Sequence, residues 1–333
     1  MSTIYSKVTP IEDRKKQEKK FYKLVNDFNV THPLMENVHC PFCGGNQPEM
    51  AFVLASYIYC ECLECGSIYN TPRVTSEELR RYHRFVDRES QLHTIPVAKK
   101  KQRIELLLKS RWNVFKKKIV DLGISFPVKK AMEVGPGIGY FTEVIQEDHC
   151  AKHYVEVEMG DEYIQYLNTL DQTTVVHSPL EECDAEQYGN NDLIFINSVI
   201  EHPHMLESFF YKLNELLVPG GLIALVDMHA QGFDIEMLKE NTPNVTPLNI
   251  LQIGSIEGVK RLCKRTSLVL MDFFSIGTLD VDIVYETVCS LPKEHPLSGL
   301  VKIFRDKKVR YAMQEVLSKN MLTGYNGYII QKF

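Results

Sequence analysis

From residue 129 onward, short apolar runs alternate with segments whose apolar residues recur at helical spacing. The runs KKAMEVG, HYVEVE, TTVVHS, DLIFINSVI and LIALVDM are typical of strands, and YFTEVIQE, EYIQYLNTL and MLESFFYKLNELL of helices. This alternation predicts a mostly parallel sheet with helices on both faces. Such sheets bind ligands outside the carboxyl ends of their strands, so chemistry is sought there.

Two helices are predicted before this region. The first starts at Thr75 or Ser76, and Glu78 is placed to complete a capping box with Thr75. The second runs from after Pro96 to Gly123, and its apolar stripe consists of Ile104, Leu107, Leu108, Trp112, Phe115 and Ile119. Lysines and arginines cover its other face over residues 99–118. That basic face fits a solvated exterior or a contact to RNA or a phosphorylated substrate.

The pattern after the fifth strand is less regular. Residues 246–274 fit a helix followed by a sixth strand that ends near Phe274. Asp280 and Asp282 then fit either a polar substrate pocket or a solvated turn or helix cap. The last stretch, residues 310–333, mixes helical and strand patterns, which fits a lid or a dimer contact equally well.

Composition bounds the class of protein. The chain has 333 residues, is 44% hydrophobic and 24% charged, and carries a formal net charge of -5. These values are typical of a soluble globular protein with a sizeable core. No apolar run reaches the roughly 18 residues that span a bilayer, and no secretory segment opens the chain. We therefore expect a cytoplasmic protein with no membrane partner and no general attraction to nucleic acid.

Five of the nine cysteines fall in one short segment, CPFCGG followed by CECLECGS. Two CxxC pairs about eighteen residues apart can wrap the two sides of a tetrahedral ion, and the glycine after each pair permits a tight knuckle. The predicted ligands of a structural Zn²⁺ are Cys40, Cys43, Cys62 and Cys65, in a zinc ribbon whose hairpin strand is MAFVLASYIYC. Cys60 is an alternative ligand, although its spacing to Cys62 is too short for a knuckle.

The stretch EVGPGIGYF places three glycines at every second position behind an acid. A dinucleotide fingerprint would need a third glycine where Tyr140 or Thr142 stands, so that motif does not fit. The pattern that remains is Glu133, Gly135, Gly137 and Gly139 at the end of the first strand. Glycines there let the main chain lie against a ligand, and Glu133 favours a cationic or N–H group.

Together, MEVGPGIGYF, YVEVEMGDEYIQYL, VVHSPLEE and DLIFINSVIEHPHMLESFFYKLNELLVPGGLIALVDM resemble the successive motifs of a class I S-adenosylmethionine-dependent methyltransferase. More narrowly, the chain resembles a bacterial subgroup with a CPxCG…CxxCG ribbon and a Y-N-T-P-R segment, here Tyr69 to Arg73. The resemblance spans residues 40–282. It implies a doubly wound, Rossmann-like sheet with an antiparallel final strand, an N-terminal ribbon and bound S-adenosylmethionine.

The resemblance also implies cofactor contacts. The loop of Glu133, Gly135, Gly137 and Gly139 would pack against the amino-acid part of the cofactor. Glu158, the last residue of the second strand, would take the ribose hydroxyls, and Glu156 is the alternative for this role. The other interpretation of Glu156 is a carboxylate that faces a helix or solvent. Leu180 and Glu181 are candidates for adenine contact. Asn197 would reach the methionine portion or stabilise a turn.

A sulfonium is already an activated methyl donor, so the protein mainly has to orient the reactants. An oxygen nucleophile would also gain from a base, and SVIEHPHM supplies Glu201, His202 and His204 after the fourth strand. Imidazole is the side chain best suited to remove a proton near neutral pH. His202 is therefore the predicted catalytic base. Its other interpretation, from the resemblance, is a structural role that orders the loop.

The sequence predicts five segments: an N-terminal segment 1–38, the ribbon 39–75, a helical linker 76–128, a methyltransferase domain 129–276 and a C-terminal extension 277–333. The predicted activity is O-methylation of a small-molecule or sugar-type acceptor. The alternatives are a ribbon-bearing RNA methyltransferase, which the acidic composition disfavours, and a cofactor-binding interaction protein without turnover. The oligomeric state is open, with a homodimer as one option.

Overall fold

A computed structural model describes residues 11–89 and 102–333 of the chain, with side chains for 19–86 and 102–333. The described chain folds as two compact units, each assembled from separate stretches. The first, the ribbon unit, draws on the described parts of Met1–Pro96 and on Met228–Gly258 and Ser275–Asn326. The second, the sheet unit, draws on the described parts of Val97–Asp227 and on Val259–Phe274 and Gly327–Phe333. The predicted five-segment partition stays a prediction.

The helices are numbered in chain order over the described residues. They are α1 Ile11–Asn29, α2 Ser76–Glu89, α3 Lys109–Asp121, α4 Tyr140–Glu147, α5 Asp161–Leu167, α6 Ala185–Tyr188, α7 Leu206–Leu216, α8 Phe233–Leu238, α9 Ile256–Arg265, α10 Asp280–Ser290, α11 Leu300–Phe304 and α12 Lys307–Lys319. One π-helical stretch, Ile104–Leu108, leads directly into α3. None of these described helices is long and apolar enough to cross a membrane.

The strands are numbered in the same way. They are β1 Met35–Glu36, β2 Pro48–Leu54, β3 Tyr57–Cys62, β4 Ile68–Asn70, β5 Arg73–Val74, β6 Val128–Val134, β7 Ala151–Glu158, β8 Thr173–His177, β9 Asn191–Asn197, β10 Leu217–Met228, β11 Gln252–Ile253, β12 Leu268–Ser275 and β13 Tyr325–Lys332. The five strands and three helices predicted from residue 129 to 228 are all present. The α/β class is thus confirmed.

The sheet unit is built on a seven-stranded sheet in the order β12-β13-β10-β9-β6-β7-β8. The pairs β6–β7, β7–β8, β6–β9 and β9–β10 are all parallel. The chain starts in the middle at β6, moves outward to β8, and returns to the other side of β6 as β9. The strand order therefore switches between β6 and β9, where doubly wound sheets bind ligands.

The last strand runs against its neighbour. At its far end, Gln331 Nε2 donates to the Gly220 carbonyl at 3.1 Å, near the start of β10. At its near end, the His229 amide donates to the Gly324 carbonyl at 2.9 Å, just past the end of β10. β13 and β10 are therefore antiparallel, as expected. The C-terminal segment, for which a lid or a dimer contact was considered, supplies this inner strand of the sheet.

The amphipathic stripe of α3 packs as predicted. Trp112, Phe115 and Ile119 are buried, and the Trp112 ring makes an edge contact with Phe195 of β9 at a centroid distance of 5.6 Å. The Trp112 indole also donates to Asp148 at 2.6 Å. This helix is thus part of the sheet unit. Its predicted start after Pro96 lies outside the described residues.

The ribbon unit contains a four-stranded sheet in the order β11-β4-β3-β2. The hairpin β2–β3 turns at Ala55 and Ser56, both with positive φ, as two-residue hairpin turns require. β11 pairs antiparallel with β4, and the Tyr59 hydroxyl donates to the Ile250 carbonyl at 2.7 Å. Gln252 and Ile253 fall in the segment that was predicted to start as a helix, but they form β11 of the ribbon sheet. The helix itself begins at Ile256.

Two local predictions need correction. The Glu78 amide does donate to the Thr75 hydroxyl oxygen at 3.3 Å, but the Glu78 carboxylate is engaged by Arg81, so the capping box is only half formed. Asp280 and Asp282 begin α10, yet neither is a solvated turn residue. Asp280 is buried, and Asp282 accepts from Arg310 at 2.7 Å.

Candidate functional site

The two cysteine knuckles of the ribbon unit have the same backbone geometry. The amide of Gly44 donates to the Cys40 carbonyl at 2.9 Å, and the amide of Gly66 donates to the Cys62 carbonyl at 2.7 Å. Both glycines have positive φ, 77° and 72°. A side chain at either position would be strained, so the glycine after each CxxC pair is needed for the turn itself, as predicted.

The four predicted ligands converge. The sulfurs of Cys40, Cys43, Cys62 and Cys65 all lie within 4.8 Å of one another. Cys40 and Cys65 are 3.6 Å apart and Cys43 and Cys62 are 3.5 Å apart, close to the roughly 3.8 Å that a tetrahedral Zn²⁺ with 2.3 Å Zn–S bonds imposes. Four soft thiolates in this arrangement fit zinc. With no position left open, the site is structural.

Neighbouring groups support the sulfurs. The Gly45 amide donates to Cys43 Sγ at 3.3 Å. Ser67 Oγ lies 3.4 Å from Cys65 Sγ and 3.1 Å from Ser255 Oγ. The hydrogen bond between Cys40 and Cys65 lowers the pKa of Cys65 to about 5 and raises the pKa of Cys40, so the first thiolate of this pair forms on Cys65. Cys60, the alternative ligand, instead points toward the Thr71 carbonyl at 3.9 Å and is not part of the cluster.

In the sheet unit, the glycine turn after β6 has the conformation that only glycine adopts readily. Gly135, Gly137 and Gly139 have φ values of 66°, 55° and 70°. A Cβ on Gly135 would lie 2.8 Å from Val199 and one on Gly139 2.9 Å from Leu167, whereas a Cβ on Gly137 would meet nothing within 4 Å. Two glycines therefore permit close packing, and the middle one faces open space. This turn fits a ligand that lies against the main chain.

Glu158 ends β7 beside this turn and is 9% exposed. Its Oε2 accepts from the Gly137 amide at 2.9 Å, and its Oε1 accepts from the amides of Met159 and Gly160 at 2.8 and 2.7 Å. The carboxylate is thus fixed in orientation at the carboxyl edge of the sheet. A carboxylate offers about four acceptor sites, so Oε2 keeps capacity for a hydroxyl donor.

Glu133 and Glu156 lie one step further into the sheet unit. They are register partners on β6 and β7, and both accept from the hydroxyl of Thr142 on α4, at 2.7 and 3.3 Å. Burial raises the pKa of Glu133 to about 7. Glu156 was expected on a helix-facing or solvent-facing surface. It does face a helix, but it is fully buried and away from solvent.

The loop after β9 packs against the glycine turn. Ser198 has a φ of 58°, a strained value for a residue with a side chain, and Val199 is the residue that approaches Gly135. The His202 amide donates to the Val199 carbonyl at 2.9 Å. The loop that carries His202 therefore starts beside the glycine turn, at the switch in strand order.

Asn197, the last residue of β9, has a partner that the sequence did not predict. Its Oδ1 accepts from Arg111 Nη1 of α3 at 2.9 Å. Leu180 is buried at the start of a short 3-10 helix after β8, and Glu181 next to it is exposed. These residues all follow the carboxyl ends of β8 and β9, as predicted.

Sequence reasoning missed two groups at this edge. Thr142 stands at a position where a dinucleotide fingerprint would need its third glycine. Its hydroxyl group was the only local sign that it could form hydrogen bonds at this edge. Arg111 lies on the basic face of α3, and nothing local distinguishes it from its neighbours. Only the packing of α3 on the sheet brings its guanidinium to the end of β9.

Comparison with known proteins agrees with this geometry. Residues 132–225, which include the glycine turn, Glu158 and the loop with His202, match the methyltransferase domain family. Together with the sheet order, this match means that the chain carries a class I S-adenosylmethionine-dependent methyltransferase domain, joined to a four-cysteine metal cluster. The residues at the glycine turn fit S-adenosylmethionine as the cofactor. A search of curated proteins returned no match.

Solved structures with a similar fold are distant in sequence. A sarcosine dimethylglycine methyltransferase from Galdieria sulphuraria, so assigned provisionally, is 15% identical with a TM-score of 0.45, and the match covers 67% of this chain and 84% of that one. A mycolic acid cyclopropane synthase is 16% identical with a TM-score of 0.43, and the match covers 66% of this chain and 84% of that one. A methyltransferase from Mesorhizobium loti is 9% identical with a TM-score of 0.44, and the match covers 67% of this chain and 98% of that one. Likeness at this level says nothing about the methyl acceptor.

Proposed function

We propose that the protein transfers a methyl group from S-adenosylmethionine to an oxygen of a small polar acceptor, of a sugar or similar class. The observation that carries this proposal is the contact between the glycine turn and the loop of His202, through Gly135 and Val199. It brings the start of a loop with a titratable imidazole next to the turn that would hold the methyl donor. When bound, the cofactor supplies an activated methyl group on a sulfonium.

The residues of the turn would hold the cofactor by shape and charge. The open face at Gly137 leaves room for the amino-acid part, and the buried acid Glu133 complements its positive charge. Glu158, already oriented by three amides, would accept a ribose hydroxyl at Oε2. Asn197 would contact the methionine portion, with Arg111 holding its side-chain oxygen in place. Leu180 and Glu181 would border the adenine.

His202 would remove the acceptor's proton as the methyl group is transferred. The hydrogen bond from the His202 backbone amide to the Val199 carbonyl fixes the backbone of the loop relative to the turn. The imidazole and the acceptor oxygen can therefore be held in a constant geometry. General-base catalysis of this kind contributes about 10²- to 10⁴-fold. A base is needed for a hydroxyl acceptor, because an alcohol is a poor nucleophile until its proton leaves.

The charges on the basic helix support a small acceptor over RNA. Lys109 pairs with Glu105 and Glu147, Lys116 with Asp148, and Lys118 with Asp272, all at 2.6–3.1 Å. Cations that are already paired release few counterions on meeting a phosphate backbone, so they add little affinity for nucleic acid. These three described lysines are therefore weak contributors to an RNA-binding surface.

The test is a transfer assay with methyl-labelled S-adenosylmethionine, offered in parallel to a small-molecule fraction of cell extract and to total RNA. We expect label in small molecules, and we expect His202→Ala to reduce turnover by about 10²-fold or more while S-adenosylhomocysteine affinity stays within a few fold. His202→Gln separates the two roles, because it retains bulk and polarity without the base. Full turnover in His202→Gln would assign the residue a structural role.

Three outcomes would count against the proposal in different ways. Label that appears in RNA, with salt-sensitive RNA retention, would support the RNA methyltransferase. Cofactor binding without transfer to any acceptor would support an interaction protein without turnover. Label attached through nitrogen or carbon would retain the methyltransferase and reject O-methylation.

A further inference from the structure

Glu133 and Glu156 form a buried pair of acids inside the sheet unit. They face each other across adjacent parallel strands as register partners, and they are only 2% and 0% exposed. On the outer sides of the pair, the register partners are apolar: Phe195 of β9 beside Glu133 and Val175 of β8 beside Glu156. Water and neighbouring strands therefore offer these carboxyl groups little solvation.

The pair has too few hydrogen-bond donors for two carboxylates. Thr142 Oγ1 is 2.7 Å from Glu133 Oε2 and 3.3 Å from Glu156 Oε2, and one hydroxyl proton can serve only one of them at a time. Glu156 Oε1 is buried with no hydrogen-bond partner. A buried ionised carboxylate without a donor is strongly unfavourable, and two of them side by side more so.

The charged groups around the pair add to the unfavourable free energy of two buried carboxylates. The charges that act on Glu156 come from Glu133 and from Glu158, two residues further along β7, and both are acids. On α4, the neighbouring Glu143 is engaged by Tyr166 on the outside of the helix. No cation among these groups compensates a second negative charge. A single proton on Glu156 removes the conflict, because it cancels one of the two charges and leaves the one Thr142 hydroxyl proton for Glu133.

We propose that the pair binds a single proton, which resides on Glu156 as a neutral carboxylic acid, so that Glu133 stays singly charged and oriented toward the cofactor. Glu156 is then a positioning residue, acting through Glu133. This step rests on the proposed cofactor role of Glu133. The net charge of minus one on the pair complements a cationic ligand at the adjacent glycine turn, at a lower desolvation cost than two charges.

The proposal predicts how stability depends on pH. Burial first, and then the charge of Glu133, raises the pKa of Glu156 well above the ordinary 4.5. A raised folded-state pKa means that the folded protein binds the proton more tightly than the unfolded chain. The stabilisation is therefore complete below the ordinary glutamate pKa and is lost as pH rises through the folded-state value.

The experiment uses the full zinc-loaded chain with glutamate labelled by carbon-13 at the side-chain carboxyl, so that aspartates do not contribute. We expect one glutamate resonance that still has the shift of a protonated acid at neutral pH and that is missing in Glu156→Gln. Denaturant midpoints measured across the pH range should fall with rising pH in the wild type and less so in Glu156→Gln. Glu186→Gln, an exposed position in the same unit, is the control.

Binding of S-adenosylhomocysteine tests the positioning role. Glu156→Gln, which keeps a neutral donor, should retain affinity within about threefold, whereas Glu133→Gln should lose about tenfold or more, as expected for a lost charged hydrogen bond. If Glu156→Gln does not fold, Thr142→Val removes the shared donor and keeps both acids. The protonated resonance should then persist to higher pH, since the Thr142 bond lowers the pKa of both acids.

Absence of a protonated glutamate in the wild type at neutral pH would overturn the proposal. So would a Glu156→Gln variant that keeps the resonance and the wild-type pH dependence. If the wild type shows the protonated Glu156 but does not bind S-adenosylhomocysteine, the proposed function fails and the protonation of the pair stands. Equal affinity losses in Glu156→Gln and Glu133→Gln would reject the positioning role.

Discussion

The cysteine cluster and the glycine turn both depend on glycines with positive φ, yet they leave their polar groups in opposite states. In the cluster, the Gly44 and Gly66 turns bring four sulfurs together, and the amides and hydroxyls nearby are engaged with them or with each other. At the turn, Gly137 faces open space and the buried Glu156 lacks a donor for one oxygen. One site is complete once its ion is bound, and the other is arranged for a ligand.

The comparison separates glycines that are needed for the fold from glycines that are needed for ligand binding. A glycine that closes a knuckle or touches a neighbouring group serves the fold, and its replacement should appear in stability. A glycine that faces a free surface serves binding, and its environment should respond to ligand. Substitutions at a metal ligand, at a packing glycine and at Glu158 test this division.

The largest effect is expected from the metal ligands. Cys62→Ser should abolish zinc binding and lower stability by on the order of several kcal/mol, because a structural zinc contributes its binding free energy to folding. Elemental analysis for zinc together with thermal unfolding of the native chain measures both. Cys60→Ser is the matched control, since Cys60 is also buried but faces the Thr71 carbonyl.

Zinc retained in Cys62→Ser, or lost in Cys60→Ser, would mean that the ligand set is not Cys40, Cys43, Cys62 and Cys65. Chelator treatment of the wild type should reproduce the effect of Cys62→Ser. A chain that keeps its melting temperature after complete zinc removal would show that the cluster is not needed for folding.

A smaller loss is expected from a glycine that serves packing in the ribbon unit. A Cβ on Gly324 would lie 2.1 Å from Asp234 Oδ1 and 2.8 Å from Asp280 Oδ1, and both aspartates are buried. Gly324→Ala should destabilise the protein by about 2–4 kcal/mol through overpacking, measured by denaturant unfolding. Gly299→Ala, where a Cβ would meet nothing within 4 Å, should be nearly neutral.

Similar stability of Gly324→Ala and Gly299→Ala would indicate that the buried aspartates can move aside. That result would break the division drawn between packing and binding glycines. The Asp234 carboxylate is the group to watch, since Asn244 Nδ2 donates to its other oxygen at 3.0 Å and restrains it.

The smallest of the three effects is expected at Glu158, and it is measured on ligand binding. Glu158→Ala should weaken S-adenosylhomocysteine binding by about 1–3 kcal/mol, because it removes the acceptor for a ribose hydroxyl. Isothermal calorimetry gives the value, and Glu186→Ala, exposed in the same unit, is the control. Unchanged affinity in Glu158→Ala would remove the ribose role from this residue.

Much of the site could be predicted from local sequence. The CxxC spacing and the glycines that follow are a local code, because a knuckle is made by residues within one turn. The acid and three alternate glycines after an apolar strand are likewise local. Glu158 ends its strand, as the resemblance implied.

Other features came from contacts distant in sequence. Gln252 and Ile253 fall in a segment with a helical pattern, yet they pair with β4, which is distant in sequence. Arg111 reaches Asn197 only because α3 packs on β9 through Trp112. The pairing of Glu133 with Glu156 depends on strand register, which no single strand reveals.

By itself, the sequence determined the alternation of strands and helices, the two knuckles and the acid-and-glycine turn, because each depends on periodicity or on backbone freedom within a few residues. Tertiary structure alone decided the burial of Glu156 against Glu133, the half-formed capping box at Thr75 and the position of β13 inside the sheet. The physical reason is that solvation and hydrogen-bond partners are properties of neighbours in space, and the chain brings those neighbours from distant positions.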